Sequence, residues 1–188
     1  MSQFAEGGPD VDAMKAVQNG KADFGVCTTN ALLEKGDALP LVILAVIFQH
    51  SPAVILVPHR AGIRAVSELK GHRLMDGPGS DDTAAMLKRD GVDATLPRVA
   101  HSGNPLDLLS GKADAMVAYS TNEPYALEKV GTPYLMFAPR AYGFDFYGDN
   151  LCTSKRQVAE HPDRVDAFAP GAWKVGSTRL RTRTRSST

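Results

Sequence analysis

The phrase Gly-Lys-Ala-Asp occurs twice in this chain, at Gly20–Asp23 and at Gly111–Asp114. Each copy follows a short amphipathic stretch and precedes an apolar run, VQNGKADFGV over residues 17–26 and LLSGKADAMV over 108–117. Copies this far apart are not a stacked solenoid, whose repeats are contiguous. The local physics is the same in both: a Gly able to take the left-handed conformation ends a helix, Lys-Ala-Asp makes an exposed turn, and a strand follows. Turn chemistry alone accounts for a single copy. Two copies with matching flanks predict two related α/β half-units, and a cleft between two lobes is a common place for a small ligand.

A chain of 188 residues can bury a sizeable core as one domain or two small lobes. Its 43% hydrophobic and 22% charged residues are those of an ordinary globular protein. The formal net charge of zero argues against nucleic acid as a partner. That balance hides an asymmetry, because Arg179, Arg181, Arg183 and Arg185 lie beyond Lys174 and no acidic residue does. The body is mildly acidic and the end basic. Cys27 and Cys152 stand in no Cys/His spacing, which points to neither a zinc site nor a disulfide framework. Direct membrane insertion is not expected: the most apolar stretch, Leu39–Val57, is broken by Gln49-His50-Ser51-Pro52. Met1–Glu6 has no basic n-region and no apolar h-region, so a cytoplasmic location is expected for the chain as written.

Strands alternate with helices along the chain, which predicts an α/β fold with mostly parallel sheets flanked by helices. Asp10 or Asp12 caps a helix carrying Val11, Met14 and Val17, and a strand follows at Asp23–Cys27. A helix is expected over Thr29–Lys35. The unbroken apolar run Leu41–Phe48 reads as a strand buried on both faces, and Ala53–Val57 as a second one. Further strands are expected at Arg73–Met75, Ala113–Ala118 and Tyr134–Phe137. Helices are expected at Val66–Leu69, Asp81–Asp90, Pro105–Leu109, Glu123–Val130 and after His161-Pro162-Asp163. Val175–Thr188 alternates Thr with Arg, offers no apolar face, and reads as a disordered basic tail.

Four segments carry candidate chemistry. The loop Asp76–Asp82 is Gly/Pro-rich and sits between a strand and a helix, yet it lacks the Gly-Lys-Ser/Thr of a phosphate loop. Ser80 and Asp81 offer either an ordinary N-cap or a polar wall for an amine or ring nitrogen. Gln49-His50-Ser51-Pro52 interrupts two apolar runs and places Gln49 and His50 where buried polar groups need partners or a ligand. Adjacent His and Ser on extended backbone do not face each other, which excludes a hydrolytic triad. Tyr119-Ser120-Thr121-Asn122 follows the second repeat's strand, and Cys27-Thr28-Thr29-Asn30 follows the first. Thr28 and Asn122 therefore lie at the strand ends where open α/β sheets place ligands, with helix capping as the competing reading. Tyr147, in Tyr142–Asp149, suits stacking on a planar ligand or a packed loop.

Glu6-Gly7-Gly8-Pro9, the two Gly-Lys-Ala-Asp turns, Ile47–Pro52, Thr121-Asn122-Glu123-Pro124 and Asp145–Asp149 together resemble the thiamine-pyrimidine-synthase-like solute-binding proteins. The resemblance runs from about Ala5 to Trp173. It implies a two-lobe, type II periplasmic-binding-protein-like fold, with residues 1–48 and 136–173 as an incomplete lobe one, 49–135 as lobe two and 174–188 as a tail. It also implies that a signal peptide, a strand and a helix normally precede Glu6, that relatives are periplasmic, and that this chain is truncated at both ends. The implied function is binding of a small thiamine-pyrimidine precursor or a related nitrogenous or sulfonated compound, with the membrane subunits of an ABC importer as partners. A thiamine-pyrimidine synthase and a sensor module are the alternatives. The fungal synthases use a Lys that holds pyridoxal phosphate, a sacrificed His and a Cys-rich run. Cys27, Ala31 and Tyr147–Cys152 stand at those places here, so neither enzymatic activity nor a cofactor or metal is expected. The implied ligand set is Thr28, Gln49, His50, Ser80, Asp81, Asn122 and Tyr147.

Overall fold

In the computed structural model, which describes residues 3–5, 7, 11–28, 40–77 and 81–171, both Gly-Lys-Ala-Asp phrases end a helical turn in the same way. Gly20 has φ +70° and Gly111 φ +78°, the left-handed region that Gly enters without steric cost. Past each Gly, the Lys amide reaches five residues back, Lys21 N–H to Ala16 O (2.9 Å) and Lys112 N–H to Asp107 O (3.1 Å). That is the long bond of a Schellman cap, which satisfies a carbonyl orphaned at the helix end. The Asp of each copy then pairs with an Arg from another element, Asp23 with Arg164 (3.9 Å) and Asp114 with Arg73 (2.9 Å).

The described elements are α1 (Ala13–Gln18), β1 (Phe24–Thr28), β2 (Leu41–Val46), β3 (Ala53–Pro58), β4 (Leu74–Asp76), α2 (Asp81–Arg89), β5 (Arg98–Ala100), β6 (Ala115–Tyr119), α3 (Pro124–Lys129), β7 (Tyr134–Phe137), β8 (Asp149–Ser154) and α4 (Lys155–Glu160). A last helix, α5, includes residues 162–171. Val66–Leu69 and Pro105–Leu109, expected as helices, hold only single 3-10 turns, at Val66–Leu69 and Pro105–Leu108. The Asp12 side chain caps α1 by accepting from Lys15 N–H at 2.9 Å. The expected helix Thr29–Lys35, Ala31, Ser80 and the tail 174–188 lie outside the described residues.

These elements form two units, each with one copy of the repeated phrase: Phe48–Gly148 with the described residues among the first eleven, and 12–47 with 149–171. The sequence puts the second crossing at 135–136. β7 pairs with β3 from Ile55↔Phe137 to Pro58↔Tyr134, so the crossing falls instead after Gly148.

The first unit is built on a five-stranded sheet in the order β5-β4-β6-β3-β7. β5, β4 and β6 are parallel, and β6 and β7 both run antiparallel to β3, so four of the five strands point the same way. All six residues of β3 are buried. Ile55 and Val57 face Met86 and Leu87 of α2, while Val54 and Leu56 face Leu108 and Leu127 on the opposite side. The period-2 alternation of a strand thus feeds two cores, which is why this strand is apolar without interruption.

The second unit holds the sheet β1-β8-β2, with β8 antiparallel to both neighbours. β2 was expected to be buried on both faces. It stands at the end of its sheet, pairs only with β8 among the described residues, and has one buried residue, Leu41, followed by five half-buried ones. Among the described residues, Val17, Cys27, Leu41 and Cys152 cluster as its core, and Leu151 and Val165 are buried as well. Contrary to the reading from spacing, Cys27 and Cys152 are joined in a disulfide. Gly25 pairs with Cys152 and Cys27 with Asn150, so the two cysteines are diagonal neighbours on one face of the β1-β8 ladder. Spacing along the chain carries no information about a register that only folding creates.

The Asp114 pair yields a pH prediction. Arg73 donates to this carboxylate from its backbone N–H and its guanidinium, and those bonds hold the Asp114 carboxyl below its usual range. A lowered folded-state value means that the contribution is complete above the unfolded value of about 4 and disappears as pH falls through the folded one. Asp114→Asn is expected to lower stability by about 1 kcal/mol near neutral pH, the modest size reflecting a half-exposed Arg73. In urea unfolding, the gap between variant and parent should close on acidification. A gap that does not change with pH would remove the charge from the account.

Candidate functional site

Strand direction gathers the polar segments of the first unit at one edge. β4, β5, β6 and β7 all end there, and β3 starts there, because Ala53 sits opposite Tyr119. The described residues at this edge are 48–52, Gly77, Asp81, 101–104, 120–123 and 138–148. The carboxyl ends of parallel strands are where open α/β sheets receive ligands.

Segments 48–52 and 144–148 brace each other. Ser51 N–H donates to Phe146 O (2.8 Å) and Gly148 N–H to Phe48 O (3.0 Å). A Cβ on Gly148 would stand 2.8 Å from Pro52 Cδ and 2.9 Å from Phe48 Cβ, so the close approach needs glycine. Across this brace, His50 Nδ1 lies 2.9 and 3.1 Å from the two Asp145 oxygens, and Arg140 Nε stands 3.4 Å from Asp145 Oδ2. Ser120 N–H donates to Pro52 O (2.9 Å), tying the braced pair to the turn after β6.

In that turn Glu123 accepts from Tyr119 N–H (2.8 Å) with one oxygen and from the Asn122 amide (3.3 Å) with the other. The exposed Asn122 side chain does not cap α3, which sets aside the capping reading for it. At the start of α2, Asp81 is half-buried, and Asp82 is buried and accepts from Thr83 N–H (2.8 Å). Asp76 ends β4 in contact with Arg98, which also reaches Asp93. His101, after β5, is 2.8 Å from Val117 O through Nε2 and accepts from Gly103 N–H through Nδ1 (3.1 Å), an arrangement that places its proton on Nε2.

Of the residues singled out from the sequence, Gln49, His50, Asp81, Asn122 and Tyr147 all fall on this edge. Gln49, Asn122 and Tyr147 are exposed. His50 is exposed as well, half of its side chain being accessible, rather than buried as its place between apolar runs suggested. The crossing segment runs along the surface of its unit, which explains the difference. Thr28 ends β1 in the other unit, half-buried and paired with Asp149. Sequence reasoning missed Asp145 as the partner of His50, Arg140 as the partner of Asp145, Glu123 as the acceptor beneath Asn122, and His101. Asp145 and Glu123 lay inside quoted motifs, but the 95-residue separation of Asp145 from His50 left no local clue.

The described residues of this edge are acidic in balance, with Asp76, Asp81, Asp82, Glu123 and Asp145 against Arg140 and the reach of Arg98. A depression of about 370 Å³ lies at the opposite edge, lined by Pro58, Arg60, Ala61, Leu108, Gly111, Ala113 and Asp114. Its two charged groups are already engaged, Arg60 with Leu108 O and Asp114 with Arg73, so it is the poorer candidate. Among the described residues, no three His, Cys, Asp or Glu side chains converge as metal ligands, and no helix is long and apolar enough to cross a membrane.

Residues 3–174 match the family described as NMT1/THI5 like. Among curated proteins none matches the sequence. Solved structures share the fold. The alkanesulfonate-binding protein SsuA from Xanthomonas axonopodis pv. citri, bound to MOPS, has a TM-score of 0.69 at 20% identity over 92% of this chain and 62% of its own. The periplasmic aliphatic sulphonate binding protein SsuA from Escherichia coli has 0.66 at 18% over 92% and 57%. An ancestral arginine-binding protein bound to arginine has 0.60 at 17% over 93% and 76%. The chain spans about three fifths of the length of the two sulfonate-binding proteins. One fold thus carries ligands of opposite charge, and its likeness here leaves ligand chemistry to the side chains.

Proposed function

This chain belongs to the NMT1/THI5-like family, and from that premise we propose that it is the solute-binding component of an ABC importer. It captures a small, planar organic molecule, a thiamine-pyrimidine precursor or a related nitrogenous or sulfonated compound, and delivers it to membrane subunits. The observation that carries this reading is the gathering of Gln49, His50, Asp81, Asn122 and Tyr147 at the one sheet edge where four strands end. Exposed amides and an imidazole supply directional hydrogen bonds there, and exposed Tyr147 supplies a ring face. Thr28 and Ser80 stay in the proposed ligand set on their place in the sequence alone. Binding rather than catalysis is also supported by Cys27, which stands where the synthases place their cofactor lysine and is engaged with Cys152.

Thermal-shift screening of the chain against small nitrogenous and sulfonated compounds is expected to raise the midpoint with a subset, as binding to the folded state must. For any compound that binds, Asn122→Ala should weaken affinity by about 1–3 kcal/mol, since it removes an exposed donor and acceptor from the edge. Affinity untouched by both Asn122→Ala and Asp81→Ala would move the ligand away from this edge.

A further inference from the structure

We infer that His50 is a hydrogen-bond acceptor that selects ligands carrying an N–H donor and rejects sulfonates, an inference that rests on the binding reading above. Asp145, as a carboxylate, can only accept, so its two contacts at 2.9 and 3.1 Å place the proton on His50 Nδ1. In the neutral ring the remaining nitrogen, Nε2, is then a bare lone pair. Arg140 at 3.4 Å from Asp145 Oδ2 and the Ser51–Phe146 backbone bond hold the carboxylate against the imidazole, which makes Asp145 and Arg140 positioning residues. His50 lies on the segment that leads into β3, beside the end of β6, and half of its side chain is open.

An Nε2 lone pair repels the oxygens of a sulfonate and welcomes an amino group or a ring N–H. The neighbouring side chains act in the same sense. Asp81, Asp82 and Glu123 are carboxylates, whereas the cations among the edge's described residues have partners already, Arg140 with Asp145 and Arg98 with Asp76 and Asp93. A sulfonate entering here would meet the His50 lone pair in a field of negative charge, with the described cations already paired, while an aminated heteroaromatic would donate to His50 Nε2.

Two measurements on the full chain decide the matter. Long-range proton–nitrogen NMR of the histidine rings is expected to show the Nδ1–H tautomer for His50 in the parent and a mixture of tautomers in Asp145→Ala; a proton on Nε2 in the parent overturns the inference without any ligand. Calorimetric titration then uses two probes, 4-amino-2-methylpyrimidine and MOPS. Saturable binding of the aminopyrimidine at least tenfold tighter than MOPS, weakened fivefold or more by His50→Leu, is the expected result. If MOPS binds equally or more tightly, or if His50→Leu leaves the aminopyrimidine unaffected while Asn122→Ala weakens it, the selectivity role of His50 is wrong and the binding edge stands. Failure of both probes to bind, or indifference of the bound probe to both substitutions, overturns the selectivity role and the binding edge together.

Discussion

Reduction of the Cys27–Cys152 bond is expected to lower the thermal midpoint by about 10 °C, the largest effect available to a change at two atoms. The bond spans 125 residues, and in the chain-entropy account cross-linking a loop of that size stabilises by about 5 kcal/mol. If the first unit stays folded while the second opens, Phe48 and Gly148 remain hydrogen-bonded neighbours. The loop then shrinks to roughly 27 residues and the expected stabilisation to about 3.5 kcal/mol. The bond itself lies in the cluster of Val17, Leu41 and the two cysteines, and about 2–4 °C per kcal/mol is usual at this chain length. The measurement is a pair of thermal scans with and without reductant, checked by the double variant Cys27→Ser/Cys152→Ser, which should not respond to reductant. Coincident scans for the parent would show that the bond contributes nothing.

Leu56→Ala should cost about 2–5 kcal/mol, read as a lower urea midpoint at an unchanged slope. Leu56 is wholly buried on β3, flanked by β6 and β7, and shares its cluster with Met75, Leu108, Met116 and Leu127. Deleting its branch leaves a hole that strands paired on both sides cannot collapse to fill. Leu56→Met, which keeps the volume, should cost under about 1.5 kcal/mol. Val26, on β1 and 53% exposed, supplies the contrast: Val26→Ala should fall within about 0.5 kcal/mol of the parent. Equal losses at Leu56 and Val26 would contradict the core as described.

How much of this was legible in the sequence depended on whether the deciding forces were local. β3 and β7 were readable because unbroken apolar runs have few other uses, and the two Schellman caps because Gly-Lys-Ala-Asp states its own conformation. β8 escaped notice. Its residues, Asp149–Ser154, are mostly polar, yet it is the middle strand of its sheet and almost wholly buried. Partners from afar make that possible: Thr153 donates to Asp23 O and the Asn150 amide to Cys27 O, across 130 and 123 residues. β5 was missed for a different reason, being three residues long with both ends exposed. At the candidate site, residue types at strand ends could be read off. The pairing of His50 with Asp145 could not, because it depends on two segments meeting at the crossing.

The strand order also bears on how the protein is made. Phe48–Gly148 is a continuous run whose ends are neighbours, so once it has left the ribosome every strand of its sheet is available. The other sheet has to wait. Among the described residues β1 and β2 do not pair with each other and meet only through β8, so neither has its ladder until residues 149–154 emerge. During synthesis β1 and β2 are therefore secured only after the whole of Phe48–Gly148 has been made. Cys27 in particular stays an unpaired thiol until Cys152 arrives, open to any oxidant or stray thiol it meets in the interval.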